Sequence, residues 1–132
     1  MELQEIFSDA EIQARVQEIG RKISEDYRGE SVVAVCVLKG AFAFFSDLVR
    51  NIDDQVDLQV DFVRLASYAD QTSRSGRMVF SKDMEIDIQD KNVLVIEDIV
   101  DTGHSMQYLK KVLDARGPKS VRIAAMIDKT ER

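Results

Sequence analysis

Residues 32–38 read VVAVCVL, seven positions without a polar side chain, and no other stretch limits the fold of this chain so much. A β-branched apolar run of that length has no face to show to water. It is therefore read as a strand covered on both sides, the usual state of strands in parallel sheets whose crossover helices lie over each face. Residues 92–96 read as another buried strand, and residues 121–127 as a final strand. Between these runs the period changes. Ser8 and Glu11 spell a capping box ahead of Ile12, Val16, Ile19 and Ile23, which predicts an amphipathic helix stopping near Gly29. Residues 41–51 put Phe42, Phe45, Leu48 and Val49 on one helical side, and residues 105–115 do the same with Met106, Leu109, Val112 and Leu113 before the stop at Gly117 and Pro118.

In residues 58–65, Leu58, Val60 and Phe62 alternate with charges or Gln, the period of a strand with one wetter face. Residues 66–80 are polar and aperiodic, and read as a mobile loop returning as a short hairpin. The order α, β, α, β, β, α, β with short joints predicts an α/β fold of three layers around a mostly parallel sheet. At 132 residues and 45% hydrophobic content the chain is the size of one domain, residues 1–132, with its own core.

A net charge of -6 argues against non-specific attraction to nucleic acid or to an anionic membrane, since both need a positive footprint. No apolar stretch approaches the roughly 20 residues that span a bilayer, and the acidic, amphipathic start is unlike a signal peptide, so a cytoplasmic location is expected. Cys36 is the single cysteine; no internal disulfide can form, and its apolar neighbours predict a buried, inert thiol.

The chemistry concentrates in residues 93–106, VLVIEDIVDTGHSM. In open α/β sheets ligands bind beyond the carboxyl ends of the strands, where the loop 97–105 is expected to lie. Thr102 and Ser105 offer hydroxyls, Gly103 allows unusual backbone angles, and a helix beginning here presents unpaired N–H groups; together these suit a phosphate monoester. His104 need give only its N–H. Glu97, Asp98 and Asp101 would repel that anion unless they face hydroxyls, a cation or a transferable proton. Mg2+ takes one or two carboxylates together with substrate phosphates, and a ribose diol would also suit Glu97 and Asp98 as acceptors. A phosphorylated ribose near a metal ion satisfies both halves. Alone, an acidic loop is more often solvent-facing, with Asp101, Thr102 and Ser105 as helix caps; the narrow order of residues here favours the ligand.

This segment resembles the phosphoribosyl pyrophosphate signature of the type I phosphoribosyltransferases, and its Glu-Asp-x-x-Asp-Thr-Gly form is similar to that of the bacterial hypoxanthine-guanine enzymes. Residues 37–50 (VLKGAFAFFSDLVR), 61–68 (DFVRLASY) and 128–132 (DKTER) resemble further family motifs, so the likeness covers nearly the whole chain. It implies the family's fold and the Mg2+-dependent transfer of 5-phosphoribosyl from phosphoribosyl pyrophosphate to hypoxanthine or guanine, giving IMP or GMP and pyrophosphate in purine salvage.

Carried onto this chain, the resemblance makes Asp101 the general base near purine N7. It gives the ribose hydroxyls to Glu97 and Asp98, which hold Mg2+ directly, through water or through those hydroxyls. Thr102, Gly103, His104 and Ser105 hold the 5′-phosphate, and Leu38, Lys39 and Gly40 the pyrophosphate, with a peptide before Lys39 that can be cis. Ser67 and Tyr68 open a lid that excludes water from a cation-like intermediate. Lys129 donates to the purine 6-oxo group, which separates 6-oxopurines from adenine.

The sequence stops at Arg132, where the family continues through a hood, so the expectation is a core domain without the C-terminal part of that hood. A second reading keeps the fold but makes it a nucleotide-sensing regulator without turnover; a xanthine-preferring enzyme is a third. Lys39, Asp101 and Lys129 together favour the 6-oxopurine enzyme. A homodimer or homotetramer is implied, with residues 41–51 and the Lys39 loop near an interface and Phe44 off the core stripe.

Overall fold

Val32 through Val37 are all buried, and β1 (Ser31–Leu38), which contains them, is the middle strand of a five-stranded sheet. The computed structural model describes residues 8–69, 76–100 and 102–128. Along the chain β1 is joined by β2 (Asp57–Ala69), β3 (Gly76–Lys82), β4 (Asn92–Val100) and β5 (Ser120–Asp128), laid out in the order β3-β2-β1-β4-β5. β1 runs parallel to β2 and β4, and β4 to β5; β3 alone is antiparallel, against β2. The three-layer, mostly parallel α/β expectation holds.

Alternation along the strands sorts the core into two halves. Val32, Ala34, Cys36, Leu94 and Ile96 face helices α1 (Asp9–Asp26) and α2 (Phe42–Val49). Val33, Val35, Val93 and Val95 face α3 (His104–Asp114) through Met106, Leu109 and Leu113. Full burial of each such Val or Leu contributes about 1.5–3 kcal/mol, so the sheet holds both helical layers. Ser8 caps α1 as read, its Oγ accepting from the Glu11 N–H at 3.1 Å. Where α1 meets the end of α2 the backbones nearly touch: a β-carbon on Gly20 would stand 2.6 Å from the Asn51 carbonyl oxygen.

Four details differ from the sequence reading. β4 does not stop at Ile96 but carries Glu97 and Asp98 within the strand, because pairing with β5 continues through Glu97 with Ala125 and Ile99 with Ile127. Less of residues 66–80 is loop than expected: β2 runs on to Ala69 and pairs with β3 after a register shift at Arg64 and Leu65. Phe44 is core, at 7% exposure, and Phe42 is the exposed ring at 62%. The short α2 turns its Ala41, Phe44, Phe45 and Leu48 stripe inward, a set spaced three, one and three. Finally, the alternation in β2 is partly inverted, with Asp61 buried and Val60 exposed. Asp61 can be buried because its carboxylate accepts three backbone N–H groups, from Phe62, Glu85 and Ile86, at 2.7–2.8 Å.

Candidate functional site

The connection from β1 to β2 places α2 on one face, and the connection from β4 to β5 places α3 on the other. The two connections also run toward opposite edges of the sheet. The switch point therefore falls between the neighbouring parallel strands β1 and β4, and the crevice beyond their carboxyl ends is the expected place for a ligand.

Two segments meet at that crevice. From β1 comes the turn Leu38, Lys39, Gly40. Leu38 is half-buried, Lys39 and Gly40 are exposed, and the Leu38-Lys39 peptide is cis. The Lys39 carbonyl accepts from the Phe42 N–H at 3.1 Å, which hands the chain to α2. A β-carbon added to Gly40 would meet nothing within 4 Å, so a ligand can approach the backbone there. From β4 comes the acidic pair. Cys36 is level with Ile96 in the ladder, which sets the exit of β1 beside Glu97 and Asp98.

Burial raises the pKa of the Glu97 carboxyl above its ordinary value, and the Asp98 charge adds to this, while the Asp98 N–H donated to it at 2.7 Å works the other way. Asp98 is also raised, by burial. Both carboxylates are thus partly desolvated with little internal compensation, the state in which a cation or hydroxyl donor is worth most. The Cys36 thiol is pushed up to about 11 by burial and then by the Glu97 charge, so it stays protonated and inert as expected.

The chain then turns at Thr102 and Gly103 into α3. Gly103 is the N-cap residue at φ +85°, a left-handed conformation that favours glycine, and it has no side chain with which to cap. Thr102 Oγ1 accepts from the His104 N–H at 3.3 Å, and Thr102, His104 and Ser105 are exposed. The start of α3 thus faces the crevice with its positive dipole end. Ser67, exposed, stands beyond the same end of the sheet, three positions past the β2 residue level with Leu38. Asp101, Lys129 and the Tyr68 side chain lie outside the described residues.

A family model for the phosphoribosyl transferase domain matches residues 3–132. The chain belongs to this family. This phosphoribosyl transferase domain is 41% identical to a hypoxanthine-guanine phosphoribosyltransferase of Dictyostelium discoideum over 128 residues, 96% of this chain and 71% of that protein. It is 40% identical over 126 residues to the hypoxanthine phosphoribosyltransferase of Escherichia coli K12, covering 94% of this chain and 70% of the other. A crystal structure of a Bacillus anthracis hypoxanthine-guanine phosphoribosyltransferase with HEPES in its active site superposes with a TM-score of 0.88 at 36% identity, over 99% of this chain and 76% of that one.

A concavity of about 570 Å³ lies away from the switch-point crevice. It follows the outer side of β5 between α1 and α3 and reaches the start of α3 only at Thr102 and Gly103. Two of its positive charges are already paired, Arg122 of β5 with Asp26 of α1 across the groove at 3.0 Å and Arg15 with Glu18 along α1 at 3.4 Å. The crevice, with its desolvated acids and uncapped helix start, is the better chemical site. Sequence reading missed three polar residues that tie the β2–β3 side of the fold together: Asp61, Asp83 and Arg116. Only Asp61 gave a signal, as a charge inside an otherwise strand-like stretch.

Proposed function

We propose that this phosphoribosyl transferase domain transfers 5-phosphoribosyl from phosphoribosyl pyrophosphate to hypoxanthine or guanine, giving IMP or GMP and pyrophosphate in purine salvage. One observation carries the reading: the Lys39 turn and the Glu97-Asp98 pair come from the carboxyl ends of neighbouring parallel strands, β1 and β4, at the switch point of the sheet. The named activities of the relatives support the choice of reaction.

In the reaction the bond from C1′ to the pyrophosphate oxygen breaks, the bond from C1′ to purine N9 forms, and the purine loses a proton. Departure of pyrophosphate leaves positive charge on the ribose ring. Glu97 and Asp98, desolvated beside it, stabilise that charge more than they stabilise the neutral sugar. Before the bond breaks they orient the ribose by accepting from its hydroxyls. Thr102, Gly103, His104 and Ser105 fix the 5′-phosphate through hydroxyls and N–H groups, and Leu38, Lys39 and Gly40 receive the pyrophosphate.

Asp101 takes the purine proton, Lys129 donates to the 6-oxo group, and Ser67 and Tyr68 help keep water from the site. Adenine would put an amino donor against Lys129 and is rejected. Glu97 and Asp98 suit Mg2+ in their donor chemistry, two hard oxygen ligands that would hold it together with substrate oxygens. Bound Mg2+ supplies neutralisation of the pyrophosphate charge.

We also propose a single-domain core, a cytoplasmic location and a homo-oligomer, the last supported by the exposed Phe42 ring. Among the described residues no helix is long and apolar enough to cross a membrane. The test is pyrophosphate release from phosphoribosyl pyrophosphate with Mg2+ and each of hypoxanthine, guanine, xanthine and adenine. Turnover with the first two supports the proposal. Turnover only with xanthine or adenine, or nucleotide binding without any turnover, overturns it.

A further inference from the structure

The return strand of the β2–β3 hairpin is fastened to the helix that begins at the phosphate cradle. Arg116, just past the end of α3, donates from both guanidinium nitrogens to the two carboxylate oxygens of Asp83, at 2.8 and 2.7 Å. Asp83 directly follows β3. The Arg116 guanidinium also lies 5.5 Å from the centre of the Phe80 ring of β3, and Phe80 meets Tyr108 of α3 edge-on at 6.0 Å and 83°. Arg116 and the Tyr108 of α3 thus both pack on Phe80. On its other side the same end of β3 is tied to β2: Lys82 Nζ donates to the Phe62 carbonyl at 3.3 Å, and Asp61 accepts from the Glu85 and Ile86 N–H groups.

This arrangement is poorly explained as a stability device. The Arg116 and Asp83 side chains are 35% and 46% exposed, and exposed pairs contribute only about 0–1 kcal/mol. What a bidentate pair with a stacked ring supplies is orientation. The pair joins segments 33 residues apart, one continuous with Thr102–Ser105 through α3 and the other with the hairpin that carries Ser67.

We infer that Asp83 and Arg116 are positioning residues for the transfer reaction: they lock the β2–β3 hairpin to α3, so that a ribose phosphate seated at the start of α3 and the hairpin beside it keep one relative placement. The inference rests on the functional reading above. Asp83 is held below the usual carboxylate range chiefly by the Arg116 hydrogen bonds, so the pair persists across the pH range of an assay.

The test uses the full chain, its Asp83→Asn and Arg116→Lys variants, and the reversed pair Asp83→Arg with Arg116→Asp. GMP is the binding probe. In the native chain GMP slows amide hydrogen exchange in β3. Each single variant still binds GMP and melts within a few degrees of native, yet loses that slowing; KM for phosphoribosyl pyrophosphate rises about two- to thirtyfold with a smaller change in kcat. The reversed pair recovers part of both. Single variants that keep the GMP effect and the native KM overturn the inference, as does a KM rise that merely follows lost thermal stability. A native chain that neither binds GMP nor turns over sinks the functional reading, and the inference with it.

Discussion

The two ends of the parallel strands treat their polar groups in opposite ways. At the amino ends the buried Asn92 amide uses both its donor and its acceptor. Asn92 donates to the Ser31 carbonyl at 3.2 Å and to Glu30 at 3.4 Å, and accepts from the Ser120 hydroxyl at 2.7 Å, tying β1, β4 and β5 together. At the carboxyl ends Glu97 and Asp98 are partly desolvated, share one short internal hydrogen bond, and have raised pKa values. One end holds the sheet together. The other leaves two carboxylates with hydrogen-bonding capacity unused, at a cost in stability.

The contrast can be broken most strongly at Asp101. Replacing it with Asn should lower kcat by about 10²–10⁴-fold, the range of a lost general base, while affinity for phosphoribosyl pyrophosphate and the melting temperature stay near native. Equal loss of affinity and turnover would contradict the base role. At the opposite end, Asn92→Ala should cost about 1–3 kcal/mol in urea unfolding, because it strands buried partners, with KM and kcat per folded molecule unchanged.

Glu97→Gln sharpens the comparison from the other side: turnover should fall while the unliganded chain becomes more stable. The pH dependence follows from the sign of the shift. A carboxyl raised in the folded state binds its proton more tightly there than when unfolded. Stability therefore declines as pH climbs from the ordinary value of 4.5 through the raised one. Asp98 contributes with the same sign from its ordinary 3.8 upward. Asp83, lowered by Arg116, adds stability that is present above 3.8 and is lost only as pH falls through its lowered value. Chemical unfolding in a pH series should show the decline in the native chain and a shallower one in Glu97→Gln. The smallest effect belongs to Ser120→Ala, about 0.5–1.5 kcal/mol for one hydrogen bond, read by the same unfolding.

How much of this was legible beforehand depends on the range of the interaction. Residues 32–38 declared a central strand because burial on two faces leaves no room for polar residues, and the cap at Ser8 is a purely local device. The phase of α2 was misjudged because two turns of helix with three phenylalanines admit more than one apolar stripe; packing chose Phe44 and left Phe42 outside. Charge suggested that Glu97 and Asp98 end a strand, yet the ladder to β5 carried them further. Asp83 and Arg116 were invisible as a pair, since nothing local connects residues 33 apart. The loop 97–105 stands out in the sequence by its residue chemistry. Only the topology explains why the Lys39 turn leaves the strand beside it.

The silent thiol at Cys36 has a practical consequence. Sealed in the sheet and protonated to about pH 11, it gives no background to maleimide or spin-label reagents. Any cysteine engineered on the surface becomes the sole point of attachment in an otherwise native chain. Two such positions, one on β3 and one on α3, would turn the hairpin-to-helix distance into a spectroscopic ruler.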